Sequence, residues 1–476
     1  MNQIFRIPVD ISVSALLVLA LLTPGPAAAQ PQAPRYPVKM SADGTHVVDQ
    51  DNRPWFINGD TAWSLVVNTT QAEATQYLED RATKGYNAII VNLIDTAFGE
   101  RVPNNLANDP PFTTPNDFST PGSAYWDHVD WVLNQAAANG IVVFAHPLYL
   151  GFACGSQGWC QAVKNSSPAK MTAYGEFLGQ RYGDYANIVW VIGGDTDPVA
   201  QGVESKVMAM VNGIRAYDTV HLMTAHNFAR SAIDPAWSDD SWIDLNTIYT
   251  YGLSHNVTLT EYNKADTRPI FLQETTYERE HNATALEIRR QAWWAVLSGA
   301  WLGHFFGNCP IWGFDSWGFC AAPAGGWQGQ LNSTLSNDLS YVGKLFTGRS
   351  FYLLRPDQNN TVMTTGVQSG STKATTALTT DGSSVIAYIP TSRQVSIDMT
   401  NVAGAQGRGW WFNPRDASTI DLGTFPNTGS RSFVPPDNND WVLVIDNASL
   451  NLPPPGTVGV PPPTPPSAPA NLRIIG

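Results

Sequence analysis

Eight short apolar runs recur along residues 55–308, and helical patterns lie between most of them. They are WFINGD (55–60), AIIVNLI (88–94), IVVFAHPLYL (141–150), IVWVIGGD (188–195), LMTAHN (222–227), TIYTYG (247–252), PIFLQET (269–275) and GHFFGN (303–308). Several are continuously apolar, which suits strands covered on both faces rather than strands of a half-exposed sheet. Residues 69–86 between the first two runs begin with a Thr cap and reach Gly85, a start and a stop typical of a helix. Residues 124–140 place Trp126, Val129, Leu133 and Ala137 on one face and stop at Gly140. Residues 283–300 carry a further helical pattern. Eight strand–helix units over roughly 300 residues match the (β/α)8 barrel, an α/β fold that typically takes about 250 residues before insertions. A doubly wound open sheet is the competing architecture, but no GxGxxG follows the first run.

The texture changes near residue 350. STKATTALTTDGSSVIAYIPTSRQVSIDMT alternates in twos around an Asp-Gly turn, and helical periodicity ends. GWWFNPRDAST and NDWVLVIDN read as further strands, so a small antiparallel β-sandwich follows the barrel. The expected organisation is a leader over 1–29, a barrel domain over 35–349 that opens with a small hairpin at 35–55, a sandwich over 350–448 and a Pro-rich tail over 449–476.

The leader is read from Arg6, an apolar run over Ile11–Leu22 and the small-residue stretch GPAAAQ. This is the pattern of a secretory signal peptide cut near Ala29, and the run is shorter than the roughly 20 apolar residues a bilayer span takes. A secreted or periplasmic chain with no membrane span after cleavage is expected. The four cysteines fit export, since they fall in two local pairs, Cys154/Cys160 and Cys309/Cys320, and are expected to form two disulfides. Losing Arg6 and Asp10 with the leader leaves the net charge at −13, which disfavours nucleic acid and anionic membranes as partners. Only 14% of residues are charged while 17 are Trp and 16 Tyr, a balance that suits neutral polar ligands stacking on aromatic faces, sugars above all.

In barrel enzymes the chemistry sits at the C-terminal strand ends. Those ends offer Asp60 and Trp63 from the first run, Asn92 from the second, His146 from the third, Asp195 from the fourth, His226 from the fifth, Tyr249 and Tyr251 from the sixth, Glu274 from the seventh and Trp312 beyond the eighth. Asp195 and Glu274 lie across the mouth from one another, and two opposed carboxylates are what glycosidic cleavage needs. Gly193 and Gly194 are expected to leave space for a ligand beside Asp195. Glu278, four residues after Glu274, is a rival for its role or a substrate contact. Strand-end acids also cap helices, as Asp197 before Pro198 is expected to do. No His cluster has metal-ligand spacing, so neither a metal nor another cofactor is expected. No GxSxG is present, which argues against esterase chemistry.

The runs FINGDTAWSL…YLEDRATKGYNAIIVNLI, VWVIGGDTDP, FLQETTYE and RRQAWWAVLSGAWLGHFFG…IW together resemble the apiosidase-like glycoside hydrolases, glycoside hydrolase family 140 and its relatives. GWWFNPRDAS…FVPPDNNDWVLVIDN resembles the small sandwich, labelled collagen-binding, that follows the barrel there. The resemblance covers about residues 36–448. It implies a barrel hydrolysing plant-type glycans, with apiose in pectin as the reference substrate, and carries the family's catalytic Asp and Glu onto Asp195 and Glu274. The cysteine-bearing loops after the third and eighth runs depart from the family pattern and put the substrate in question. The reading is an exo-acting, retaining glycoside hydrolase of oligo- or polysaccharides, with Asp195 as acid/base, Glu274 as nucleophile, and Asp60, Trp63, Asn92, His146, His226, Tyr249, Tyr251, Glu278 and Trp312 around the sugar. A non-catalytic carbohydrate- or matrix-binding protein is the competing class. The oligomeric state is left open.

Overall fold

A computed structural model describes Met1 and residues 34–228, 232–233, 236–266, 268–315 and 325–457. The rest of the expected leader, the end of the Pro-rich tail and Cys320 lie outside the described residues. Strands β1 (Ile57–Thr61), β2 (Ala88–Asn92), β3 (Val142–His146), β4 (Ile188–Gly193), β5 (Met223–His226), β6 (Asn246–Tyr249), β7 (Ile270–Glu274) and β8 (Gly303–Phe306) form one parallel sheet in the order β5-β4-β3-β2-β1-β8-β7-β6. The seam between β5 and β6 is bridged at its start, where the Asp244 N–H donates to the Met223 carbonyl at 2.8 Å. Thr224 Oγ1 closes it further by donating to the Leu245 carbonyl at 2.8 Å. The result is a nearly closed (β/α)8 barrel.

Strand residues alternate between two buried sides, which is why the runs look continuously apolar. Ile57, Ile90, Phe144, Val191, Phe271 and Phe305 fill the barrel interior, and Phe144 meets Phe305 edge-on at 4.9 Å between centroids. Their neighbours Ile89, Val143, Trp190 and Ile192 face the outer helices instead. Helix α1 (Gln71–Lys84) opens with a Thr70/Glu73 capping box and ends on left-handed Gly85. Helix α2 (Ser123–Ala138) presents Trp126, Val129, Leu133 and Ala136 inward; Ala136 takes the place expected of Ala137, because it lies seven residues after Val129 and four after Val132 on the buried stripe, while Ala137 turns past its edge into solvent. Helices α3 (Pro168–Tyr182), α4 (Glu204–Arg215), α5 (Ser254–Tyr262) and α6 (Ala285–Leu297) continue around the barrel.

The sandwich pairs a sheet of β9 (Leu354–Pro356), β11 (Thr375–Thr379), β12 (Ser384–Ile389), β17 (Trp441–Asn447), β14 (Gln406–Phe412) and β15 (Thr419–Pro426) with one of β10 (Met363–Thr365), β13 (Val395–Asp398) and β16 (Ser430–Phe433). It packs on α6, whose residues Ile288, Ala292, Trp293, Trp294 and Val296 are all buried. A helix apolar nearly all round needs cover on both sides. Trp293 stacks on Tyr388 of β12 at 5.9 Å, and a single apolar cluster runs from α6 through Ile386, Phe412 and Val444. Arg289 crosses the junction with a two-pronged bond to Asp440 and a third to Asp338 at 2.8 Å.

Candidate active site

The two acids expected to be catalytic reach the barrel mouth by different routes. In β4 the inward phase runs Val189, Val191, Gly193 and so lands on Asp195. Gly193 and Gly194 have φ of +103° and +124°, and Asp195 follows at +45°. A β-carbon on Gly193 would lie 2.6 Å from the His226 carbonyl oxygen, and one on Gly194 would lie 2.4 Å from the Tyr149 ring. The space beside Asp195 is therefore taken up by the protein itself, a correction to the expectation that the glycines make room for ligand. Close packing is what they permit, and it fixes the turn that aims Asp195. Ala153 N–H donates to the Asp195 carbonyl at 3.1 Å, so the loop after β3 holds this residue as well.

Glu274 arrives out of phase. Phe271 faces the barrel interior and Leu272 the outside, so strict alternation would turn Gln273 inward and Glu274 outward. The ladder skips a residue here: Ile248 pairs with Leu272, but Tyr249 pairs with Glu274. This bulge at Gln273 re-aims Glu274 into the mouth. Its Oε1 accepts a hydrogen bond from the Tyr277 hydroxyl at 3.1 Å, and that hydroxyl accepts from Trp63 Nε1 at 2.8 Å. His226 Nε2 stands 2.9 Å from Glu274 Oε2.

Asp195 and Glu274 line one cleft of about 600 Å³, together with Phe98, Tyr149, Phe152, Gln157, Tyr249, Tyr251, Tyr277, Glu280, His281, Cys309 and Trp312. Burial, reinforced by the Glu274 charge, raises the Asp195 carboxyl to about 6, against the opposing pull of His226 and the Tyr149 and Tyr249 hydroxyls. The Tyr149 hydroxyl lies 3.4 Å from Asp195 Oδ2. Burial and the neighbouring His226 push His146 well below its ordinary value, so its ring is neutral at pH 7. An acid whose carboxyl is raised to about 6, beside a second carboxyl group oriented by a tyrosine, gives up its proton close to the pH of the reaction and can protonate a departing oxygen while the second group attacks or activates water.

The other expected site residues divide into three groups. Tyr249, Tyr251 and Trp312 line the cleft. Trp63, Asn92, His146 and His226 are buried and form the layer beneath it; Trp63 stacks on His226 at 5.5 Å and meets His146 at 5.1 Å, while Asn92 donates to Asp95 at 3.2 Å. Asp60 and Glu278 leave the site altogether. Asp60 has the outward phase of β1, so its carboxylate accepts from Arg81 Nε at 2.5 Å and Tyr77 at 2.9 Å on α1, with both ion-pair partners fully buried. Glu278 accepts from Asn308 Nδ2 at 2.9 Å and Ser333 Oγ at 2.5 Å, tying down the segment after β8. Asp197 caps a turn instead of the expected helix: it accepts from the Ala200 N–H at 2.8 Å, and α4 starts only at Glu204. Cys154 and Cys160 are bonded as expected; Cys309 is also disulfide-bonded, while the expected partner Cys320 lies outside the described residues. Tyr277, Phe98, Gln157, Glu280 and His281 are cleft residues that strand-end reading missed. Each sits in a loop, where no periodicity marks it. Among the described residues no group of three or more His, Cys, Asp or Glu could hold a metal ion.

Residues 41–352 match the model of the "Apiosidase-like, catalytic domain" family. The chain belongs to the apiosidase-like family. In this apiosidase-like protein residues 356–446 match a second family, described as "Putative collagen-binding domain of a collagenase". No curated protein sequence matches it. Among solved structures it is similar to one described as a glycoside hydrolase, with a TM-score of 0.76 at 23% identity over 88% of this chain and 99% of that one. It is equally similar to a glycoside hydrolase family 5 protein of Bacteroides vulgatus, with a TM-score of 0.76 at 23% identity over 89% of this chain and 96% of that one. At this identity the two structures establish the shared fold, and the family model supports a glycosidase.

Proposed function

We propose that this apiosidase-like protein is an exported, exo-acting, retaining glycoside hydrolase of plant cell-wall or related oligo- and polysaccharides. The observation that carries the reading is the pair in one cleft: an Asp195 whose carboxyl is raised to about 6 and a Glu274 oriented by Tyr277. In the first step Glu274 attacks the anomeric carbon as Asp195 gives its proton to the glycosidic oxygen, and the leaving sugar departs. Forming the ester removes the Glu274 charge, which is one of the two causes raising the Asp195 carboxyl. Asp195 thereby becomes a weaker acid-holder and suits its second role, taking a proton from the water that hydrolyses the ester. Tyr277, itself held by Trp63, keeps Glu274 Oε1 in line through both steps. Aromatic walls and a cleft closed below by Trp63, His146 and His226 favour an end sugar over a threaded chain. Export is supported by the leader pattern in the sequence and by the disulfide on the loop after β3. Among the described residues no helix is long and apolar enough to cross a membrane.

The test is release of reducing sugar from a panel of pectic, arabinan and microbial glycans, with proton NMR of the first-formed anomer. Net retention is expected. The Asp195→Asn and Glu274→Gln variants should each lose several orders of magnitude in turnover. Full activity of Glu274→Gln, or inversion at the anomeric centre, would overturn the assignment.

A further inference from the structure

Exposed aromatic rings are few among the described residues, and most gather at one place. Of the large hydrophobic side chains exposed among the described residues, Phe152 (52% exposed), Phe228 (44%) and Tyr251 (41%) stand at the barrel mouth. Phe152 and Phe228 lie 6.0 Å apart between ring centroids, with 37° between their planes. Phe152 also lines the cleft, as does Gln157 from the same loop. Two rings left in water side by side at the rim of a polar-ligand cleft are a surface made for contact.

The backbone under Phe152 is built to present it. Phe152 opens a 3-10 turn, Phe152–Cys154, in which Ala153 and Cys154 hold left-handed φ of 49° and 59°. Residues with a β-carbon take that conformation only when the surroundings enforce it. Here the Cys154–Cys160 disulfide and the Gln161 side chain, donating to the Cys154 carbonyl at 3.0 Å, hold one end of the turn. The Ala153 N–H, donating to the Asp195 carbonyl at 3.1 Å, holds the middle. That last bond also sets the direction of the surface. It places Phe152 next to the acid, hence on the side of the cleft where the protonated oxygen leaves.

We propose that Phe152 and Phe228 form a leaving-group subsite that stacks the apolar face of a pyranose ring beyond the cleaved bond. The inference rests on the reading of Asp195 as the general acid. A pyranose presents C–H groups on one face, which suit an aromatic platform, and hydroxyls on its rim, which suit the amide of Gln157. The substrate is thus a sugar attached to a further saccharide, and the platform holds that saccharide while the end sugar occupies the cleft.

The experiment compares two substrates of the same glycone, the one found by the glycan panel: an oligosaccharide, and the glycosyl fluoride, whose leaving group has no ring to stack. The ratio of kcat/KM on the oligosaccharide to kcat/KM on the fluoride should fall about tenfold in Phe152→Ala and in Phe228→Ala, carried mainly by KM, as the loss of one stacking face predicts. Phe152→Trp should keep that ratio within about twofold, because it retains a stacking face. Calorimetric titration of the leaving oligosaccharide alone should show weaker binding to Phe228→Ala than to the unaltered protein. An unchanged ratio in both alanine variants overturns the subsite, and so does a dimer in sedimentation that Phe152→Ala dissolves. Failure of the unaltered protein on both substrates would instead count against the glycosidase reading itself.

Discussion

Asp195→Asn should make the protein more stable, and only above acidic pH. Burial and the Glu274 charge hold the Asp195 carboxyl at about 6 rather than its ordinary 3.8. The folded state therefore binds this proton more tightly than the unfolded chain, and keeping the group ionised costs the fold free energy. Below about pH 4 both states are protonated and the cost is nil; it grows between about pH 4 and 6 and is complete above that. Converted through 1.36 kcal/mol for each tenfold change in acidity, the full cost is about 3 kcal/mol at pH 7. Asparagine keeps the shape and loses the charge, so the variant should gain up to about 3 kcal/mol at pH 7 and almost nothing at pH 4. Urea unfolding followed by tryptophan fluorescence at the two pH values measures both numbers. A gain of equal size at pH 4 and pH 7, or a loss at pH 7, would refute the reasoning, because neither can come from a carboxyl with a raised folded-state value.

Asp60→Asn should cost about 3–5 kcal/mol, since it strips the buried Arg81 of its closest counter-charge, while KM stays unchanged; a raised KM at unaltered thermal stability would return Asp60 to the sugar site. Replacing Cys154 and Cys160 by serine should cost roughly 2–3 kcal/mol. It should also lower kcat, because Cys154 anchors the neighbouring Ala153, whose N–H donates to the Asp195 carbonyl; stability lost with kcat intact would show that the disulfide does not position the acid.

Much of the fold can be read from the sequence because barrel strands and their helices each leave a local signature. The eight apolar runs all became strands, the Thr cap expected in residues 69–86 opens its helix at Thr70, and the helical pattern over 283–300 became α6. The site is legible only in part. Asp60 and Asp195 look alike in the sequence, each an acid at the end of an apolar run, yet one pairs with Arg81 behind the barrel and the other enters the cleft. Phase decides between them: Asp60 lies one residue from the inward Gly59, and Asp195 lies two residues from the inward Gly193. Glu278 stands in a loop, where no phase exists, and only the approach of Asn308 and Ser333 shows that it is a tie and not a ligand contact.

What the sequence by itself determined is therefore the set of elements and their order, because propensity, capping and the apolar period act over a few residues. Tertiary structure alone decided which acids face the cleft. By phase Glu274 should point outward, and it turns inward only because the β6–β7 ladder skips Gln273. The same holds for Gly193 and Gly194, whose lack of a side chain matters through the His226 carbonyl and the Tyr149 ring that press on them. Those neighbours come from β5 and from the loop after β3. A bulge and a close approach are properties of two strands packed together, and no single stretch of chain carries the energy that sets them.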